Sequence, residues 1–232
     1  MVRKKKNTMN TKARNLIAEE NPKSPIAEQY RTIRTNLQFT SVDNELETML
    51  VTSAGPSEGK SMTTANTAAV FAQQQKKTLL VDADMRKPTV QYTFRVQNMI
   101  GLSNYLAGTQ RVMDLVNHTN IDYLDVITSG PVPPNPSELL GSQKMGQFIK
   151  EAKQHYDMII FDTPPVLAVT DSQVLSHFVD GVLLVVRSKQ TEKEAAAKAK
   201  EKLDQANANV LGVVLNDQEV KSSSNYYYYY GQ

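Results

Sequence analysis

Short apolar runs alternate with longer polar or amphipathic stretches along most of the 232-residue chain. Each run is rich in leucine or β-branched residues, as buried strands are. The runs are 49–51, 78–81, 124–127, 158–161, 182–186 and 210–215. Continuous apolar strands separated by helices predict an α/β fold with a mostly parallel sheet and helices on both faces.

Helices are predicted between these runs, at residues 60–74, 137–155 and 191–207. Another helix is expected to begin at Ser24-Pro25, because serine is a favoured N-cap and proline a favoured first residue. Parallel sheets bind their ligands beyond the carboxyl ends of the strands. The residues that follow the strands are therefore the candidates for function.

Composition narrows the classes of chemistry available to the chain. Hydrophobic residues make up 40% of it, which is enough for a sizeable core, and its net charge is only +2. The absence of cysteine excludes disulfides, iron–sulfur clusters and thiol nucleophiles, and fits a reducing cytosol. The three histidines are far apart in sequence and give no sign of a metal site or a catalytic triad.

The two ends of the chain differ from its middle. Residues 1–23 are predicted to be a basic flexible N-terminal arm, since residues 1–14 hold six basic side chains and no acidic one. No apolar stretch follows it as in a secretory signal, and no run approaches the ~20 apolar residues of a membrane span. A solvated arm is expected, with weak attraction to anionic lipid as the alternative. Residues 217–232 are predicted to be a tyrosine-rich C-terminal tail, which leaves 24–216 as the folded domain.

A phosphate-binding loop (P-loop) is predicted after the first strand. Backbone amides of such a loop point at a triphosphate, while its lysine neutralises phosphate oxygens and the next hydroxyl can ligate Mg²⁺. The strict motif has glycine where this chain has Ala54, so the match is relaxed; the alternative, a plain surface turn, is disfavoured by the flanking strand and helix. The candidate nucleotide-binding residues are Gly55, Pro56, Ser57, Glu58, Gly59, Lys60, Ser61 and Met62.

Carboxylates follow two further strands. Asp162 ends the run 158–161, where a Walker B aspartate must lie to reach Mg²⁺. Asp82 and Asp84 follow the run 78–81 and point the same way if the chain stays extended. Aspartate after a strand more commonly caps a turn, but the convergence of three strand ends on one sheet edge favours a nucleotide site. The candidate Mg²⁺ ligands are Ser61, Asp82 and Asp162.

Single residues disfavour other nucleotide-binding classes. A guanine-specific N-K-x-D motif would follow a late strand, but residues 216–219 read Asn-Asp-Gln-Glu, so ATP is favoured over GTP. Partition-type ATPases carry a second lysine five residues before the P-loop lysine, where this chain has Gly55. Relatives of the nitrogenase iron protein need cysteine.

The chain resembles the bacterial tyrosine kinase (BY-kinase) family, in its capsular or exopolysaccharide type from Gram-positive bacteria. The P-loop carries the resemblance together with segments 79–88, 130–142 and 159–165 and the terminal tyrosines. It implies that residues 24–216 are a P-loop kinase domain, that ATP and Mg²⁺ are the cofactors, and that Asp82 or Asp84 takes the proton of the acceptor phenol. The implied catalytic residues are Lys60, Asp82, Asp84 and Asp162.

Half of the ten tyrosines lie in one consecutive run near the C-terminus. Five adjacent rings cannot all face one core from a helix or a strand. An exposed tail is the plain interpretation, and the resemblance implies phosphoacceptors that are presented in trans to a neighbouring subunit. These are Tyr226, Tyr227, Tyr228, Tyr229 and Tyr230.

Glu28, Arg31 and Arg34 recur on one side of the helix that begins near Ser24. Such a triple is most often a solvated, salt-bridged face. It matches the family's E-x-x-R-x-x-R element, which implies subunit contact in a ring-shaped homo-oligomer. The resemblance further implies a cytoplasmic protein recruited to the inner face of the cell membrane by the cytoplasmic segment of an adaptor, and a cognate tyrosine phosphatase as partner. No nucleic-acid partner is expected.

Two rival functions stay open beside the kinase. One is a membrane-recruited, partition-type ATPase switch without kinase activity, which would lack the tyrosine run and carry the extra lysine. The other is a scaffold without catalysis, which would have lost Lys60 or the aspartates. The chain keeps the set of residues that a tyrosine autokinase needs.

Overall fold

The computed structural model describes residues 16–40, 45–108 and 110–219. In this part of the chain one sheet has the strand order β3-β4-β2-β5-β1-β6-β7, and all neighbours are parallel except β3 and β4. Its strands are β1 (Thr48–Ser53), β2 (Thr78–Asp82), β3 (Asn117–His118), β4 (Leu124–Ile127), β5 (Met158–Asp162), β6 (Gly181–Arg187) and β7 (Val210–Asn216). The predicted α/β sheet is confirmed.

Helices cover both faces of the sheet. They are α1 (Ile17–Glu20), α2 (Pro25–Phe39), α3 (Lys60–Ala72), α4 (Val90–Phe94), α5 (Leu102–Leu106), α6 (Pro136–Leu140), α7 (Gln143–Ala152), α8 (Asp171–Leu175) and α9 (Lys193–Gln205). Short 3-10 helices lie at Val112–Leu115 and Ser176–Phe178.

Alternate residues of the central strands point into two separate hydrophobic layers. Leu79 and Ile159 pack with side chains of α5, α7 and α9. Leu80 and Ile160 pack on the opposite face with side chains of α1, α2 and α3. Because both faces are buried, the strands are apolar throughout, which is why they stand out in the sequence.

The single helix predicted at 137–155 is wrong, because two helices, α6 and α7, lie there. The break is at Gly141, where a Cβ atom would come within 2.7 Å of the Val174 side chain in α8. Ser142 is the N-cap residue of the second helix. The close approach of α8 therefore ends α6 at a glycine.

Part of the predicted N-terminal arm packs on the domain. Ala18 in α1 is fully buried, its backbone N–H donates to Asn66 Oδ1 at 3.0 Å, and its carbonyl accepts from Gln73 Nε2 at 2.9 Å. Leu16 is buried as well. The ordered domain thus begins before the predicted boundary at residue 23, since these apolar residues contact α3; residues 1–15 lie outside the described ranges. Within those ranges no helix is both long and apolar enough to cross a membrane.

Candidate active site

The P-loop joins β1 to α3 at the carboxyl edge of the sheet. Gly59, its last residue, has a φ of +91°, and a Cβ atom on it would lie 2.0 Å from Asn216 Nδ2. A glycine meets both demands because it has no Cβ and tolerates left-handed backbone. α3 begins at Lys60, so the free amides of its first turn face the loop, where an anion binds favourably.

Glu58 was expected to contact nucleotide, and its side chain turns into the protein. Oε2 accepts from Ala54 N at 3.0 Å, and Oε1 accepts from Thr191 Oγ1 at 2.7 Å. The Glu58 carbonyl accepts from Asn216 Nδ2 at 2.9 Å. The buried carboxylate therefore braces the loop from inside. Sequence reasoning missed Thr191 and Asn216, whose only signal is that they follow or end late strands.

Lys60 lies between two of the predicted aspartates. Its Nζ is 3.2 Å from Asp84 Oδ2, 3.2 Å from Asp162 Oδ1 and 3.2 Å from Ser61 Oγ. Burial lowers the pKa of Lys60, but the attraction of Asp162 and Asp84 outweighs it, so the net pKa is raised. The lysine is charged and is held where the P-loop meets the strand ends.

Asp82 and Asp162 are register partners at the ends of β2 and β5, and both are fully buried. The two oxygens of Asp82 accept backbone N–H groups from Asp84, Thr89 and Val90, at 3.1, 2.9 and 2.9 Å. Burial, followed by the charge of Asp162, raises the pKa of Asp82 to about 7. Asp162 Oδ2 is buried and has no hydrogen-bond partner in the described part of the chain.

The carboxylates at the strand ends fit Mg²⁺, which needs few protein ligands. Among residues 16–40, 45–108 and 110–219, no three or more His, Cys, Asp or Glu side chains are grouped to hold a metal. Mg²⁺ usually takes one or two protein carboxylates and completes its shell with water and phosphate oxygens. Asp162 Oδ2 offers the uncommitted oxygen, whereas Asp82 is engaged by three N–H groups and Ser61 by Lys60.

A further buried carboxylate, that of Asp171, fixes the loop that carries Asp84. Arg86 Nε and Nη2 each donate to Asp171 at 3.0 Å, and Ser137 Oγ donates to Asp171 Oδ1 at 2.8 Å. Asp171 is fully buried at the start of α8, and Ser137 lies in α6. Sequence reasoning singled out segment 130–142 as a motif but missed Asp171. This cluster ties the loop after β2 to two helices.

The predicted oligomer residues lie on α2 and make contacts inside the chain. Arg31 Nη1 is 2.7 Å from Glu28 Oε2, and both side chains reach the surface. Arg34 Nη1 donates to the carbonyl of Val70 in α3 at 2.7 Å, and burial, followed by the charge of Arg31, lowers its pKa. Arg34 thus joins α2 to α3. The predicted phosphoacceptors 226–230 lie outside the described residues.

Residues 48–217 match the family model of an AAA domain. The tyrosine-protein kinase YwqD of Bacillus subtilis is 51% identical over 216 residues, which are 93% of this chain and 91% of the relative. The chain belongs to the bacterial tyrosine kinase family. The putative tyrosine-protein kinase CapB of Staphylococcus aureus is similar too, at 42% identity over 99% of each chain.

Solved structures agree with this placement. The chimerical protein CapA2B2 has a TM-score of 0.85 at 44% identity, over 88% of this chain and 90% of that one. The kinase domain of the Escherichia coli tyrosine kinase ETK has a TM-score of 0.82 at 37% identity, over 90% and 83%. The cell-division protein MinD of Pyrococcus horikoshii, at 23% identity and a TM-score of 0.62, shares the fold. The predictions of a P-loop NTPase-like fold, which implies nucleotide binding, and of a tyrosine-protein kinase are confirmed.

Proposed function

We propose that this kinase transfers the γ-phosphoryl group of ATP, bound with Mg²⁺ at the P-loop, to tyrosines 226–230 of a second copy of the chain. The observation that carries the proposal is the charged Lys60 between Asp84 and Asp162, beside the uncommitted oxygen of Asp162. A triphosphate at the start of α3 meets the lysine and the free amides together.

The transfer has a simple balance of bonds and protons. The tyrosine Oη bonds to the γ-phosphorus as the bond from that phosphorus to the β–γ bridging oxygen breaks, and ADP leaves with the electron pair. The phenol proton passes to Asp82 or Asp84. Lys60 stabilises the negative charge on the phosphate oxygens, as preorganised cations do in such sites. Bound Mg²⁺ would neutralise phosphate charge. The uncommitted oxygen of Asp162 would hold it directly, and Ser61 and Asp82 would join by exchanging contacts that they make here.

The second copy is expected to dock through α2, in a ring-shaped homo-oligomer. Glu28 has 57% of its side chain exposed and Arg31 27%, so both can pair across an interface as well as with each other. Arg34 has a smaller share in this contact, because its guanidinium already donates to Val70. Docking by α2 would bring the tail of one subunit to the P-loop of the next.

The biological setting is proposed from the family. The name of the relative CapA2B2 joins an A and a B component, which supports a membrane adaptor as the activating partner of this chain. The kinase would then work in the cytoplasm, at the inner face of the membrane where the adaptor holds it, and regulate capsule or exopolysaccharide synthesis. A cognate tyrosine phosphatase would reverse the modification.

The test is incubation of the purified chain with Mg²⁺ and ATP, with and without a candidate adaptor segment, followed by mass spectrometry of the phosphorylated residues. We expect phosphate on tyrosines 226–230, and none with Lys60→Met. Lys200→Met is the matched control, since Lys200 pairs with Asp204 on the surface of α9. ATP hydrolysis without phosphotyrosine would instead indicate the partition-type switch.

A further inference from the structure

The first residues of the C-terminal tail make a set of side-chain contacts with the domain. Residues 217–219, here called the tail root, run beside residues 187–189, here called the root clamp. Their side chains pair in order: Arg187 Nε and Nη2 lie 2.9 and 2.8 Å from Asp217 Oδ2, Ser188 Oγ lies 2.8 Å from Gln218 Oε1, and Lys189 Nζ lies 2.5 Å from Glu219 Oε2.

The backbone turns at the same place. Asp217 has a φ of +57°, directly after β7 ends at Asn216. A left-handed backbone is uncommon for a residue other than glycine, and aspartate is among the side chains that tolerate it. Ser188 N donates to the Asn216 carbonyl at 2.8 Å, so the turn is held by main-chain and side-chain contacts together. The chain therefore departs from β7 in a defined direction.

Arg187 also contacts the P-loop. Its Nη1 donates to the Ser57 carbonyl at 3.3 Å, and Ser57 is itself left-handed, with a φ of +64°. One guanidinium thus joins a strained residue of the phosphate-binding loop to a strained residue of the tail root. The Arg187 side chain is 32% exposed, which makes it the least exposed of the charged side chains in the clamp and the root.

The position of the tail root decides what the tyrosines can reach. Six residues lie between Glu219 and Tyr226, and the seven Cα–Cα steps span at most about 25 Å at full extension. With so short a tether, the local concentration of acceptor at any active site depends strongly on where the tether begins. A surface ion pair adds little stability alone, but contacts at three successive residues restrict the point of departure.

We propose that Arg187 is a positioning residue for the acceptor tail: it holds the tail root at the P-loop, so that the tyrosine run leaves from a fixed point. This inference rests on the proposed function, in which tyrosines 226–230 are the acceptors. Asp217 and the other clamp contacts serve the same purpose. The clamp does not act on the bond being broken.

The first experiment compares an attached tail with a free one. Asp217→Asn keeps a side chain that tolerates left-handed backbone and removes the charge. We expect it to slow phosphorylation of the attached tail about threefold to tenfold. A free peptide of residues 217–232, offered to enzyme that lacks residues 226–230, should be phosphorylated at the unchanged rate. Lys200→Gln, which breaks a surface pair on α9, should change neither rate.

Arg187→Gln tests whether the contact with the P-loop has an effect of its own. It removes the contact with Ser57 as well as the one with Asp217, so we expect a raised KM for ATP in addition to the slower attached tail. Asp217→Asn should leave that KM unchanged. A merely structural role would lower the rates on both substrates together, by reducing the folded fraction.

The second experiment needs no kinase activity. Because the sequence has no cysteine, Ser222→Cys provides a single site for a nitroxide label. We expect a narrower spectrum, from a more mobile label, in Asp217→Asn than in the parent. If the parent modifies no tail tyrosine, the proposed function fails while the spectrum still tests the clamp. An unchanged spectrum, or an unchanged rate on the attached tail of an active parent, would overturn the positioning role.

Discussion

Glu58 provides a sharp test of how the P-loop is held. In Glu58→Gln the side-chain shape is kept, but one carboxylate oxygen becomes an amide NH₂. The amide oxygen would stay on Ala54 N, now 3.0 Å from Oε2, so the NH₂ would face Thr191 Oγ1. That hydroxyl already accepts from Arg187 N at 2.8 Å, and when it turns to accept from the NH₂ as well, its own proton loses its acceptor. Leaving a buried polar group unsatisfied costs about 1–3 kcal/mol. We expect the free energy of unfolding to fall by that amount.

Thr191→Val removes the same contact from the other side, together with the hydrogen bond that Thr191 Oγ1 accepts from Arg187 N at 2.8 Å. It replaces the hydroxyl that donates to Glu58 Oε1 at 2.7 Å by a methyl group of similar size. The loss of a hydrogen bond to a charged group corresponds to about 1.5–3 kcal/mol. Because the two residues share one contact, the double variant should lose about 1 kcal/mol less than the sum of the single losses.

The assay is unfolding in urea of four proteins, namely the parent, Glu58→Gln, Thr191→Val and the double variant. The ATP affinity of the same proteins is measured beside it. If Glu58 and Thr191 hold the P-loop in place, Glu58→Gln and Thr191→Val should each lower both the stability of the domain and its affinity for ATP. The reason is that the nucleotide must then order a loosened loop. Additive losses of stability would refute a direct Glu58–Thr191 contact. A Glu58→Gln protein of full stability with reduced ATP affinity would show instead that the carboxylate faces the ligand.

Three further predictions concern the aspartates and the assembly. Asp171→Ala should destabilise the domain by about 1–3 kcal/mol, a value reduced because its partner Arg86 is partly exposed. Differential scanning calorimetry would measure the loss, and an unshifted melting temperature would contradict the prediction. Asp162→Asn removes a charge that pairs with Lys60 and repels Asp82. It should slow phosphotyrosine formation by the folded protein by about a hundredfold or more, and an undiminished rate would refute its role. Full phosphorylation of tyrosines 226–230 adds roughly −8 to −10 charges and should shift the oligomer toward monomer. Arg31→Ala should do the same, with its melting temperature as the control, because Arg31 Nη2 also donates to the Pro22 carbonyl. Light scattering after size exclusion would show both shifts, and an unchanged mass would refute the coupling.

Residues that follow buried strands could be predicted from the sequence. A continuous apolar run identifies such a strand, and parallel strands bring the next residues to one edge, so Lys60, Asp84 and Asp162 were expected to lie close together. The structure places the lysine within 3.2 Å of both aspartates. The site therefore follows from local pattern and topology.

Contacts between distant segments could not be predicted in this way. Thr191 lies 133 residues from Glu58 in the sequence, and Asp171 has the pattern of an ordinary residue at a helix start. Arg34 has the spacing of a solvated face, yet it bonds to the end of α3. These roles depend on how segments that are distant in the sequence pack together. The periodicity of one segment does not encode that packing.

The central claim is transfer from one chain to the tyrosines of another. The most direct measurement mixes a Lys60→Met chain, which keeps its tyrosines, with an active chain that lacks residues 226–230, in the presence of Mg²⁺ and ATP. The account predicts phosphate on tyrosines 226–230 of the Lys60→Met chain, mapped by mass spectrometry. A Lys60→Met chain that stays unmodified, while the intact chain alone labels its own tail, would contradict it.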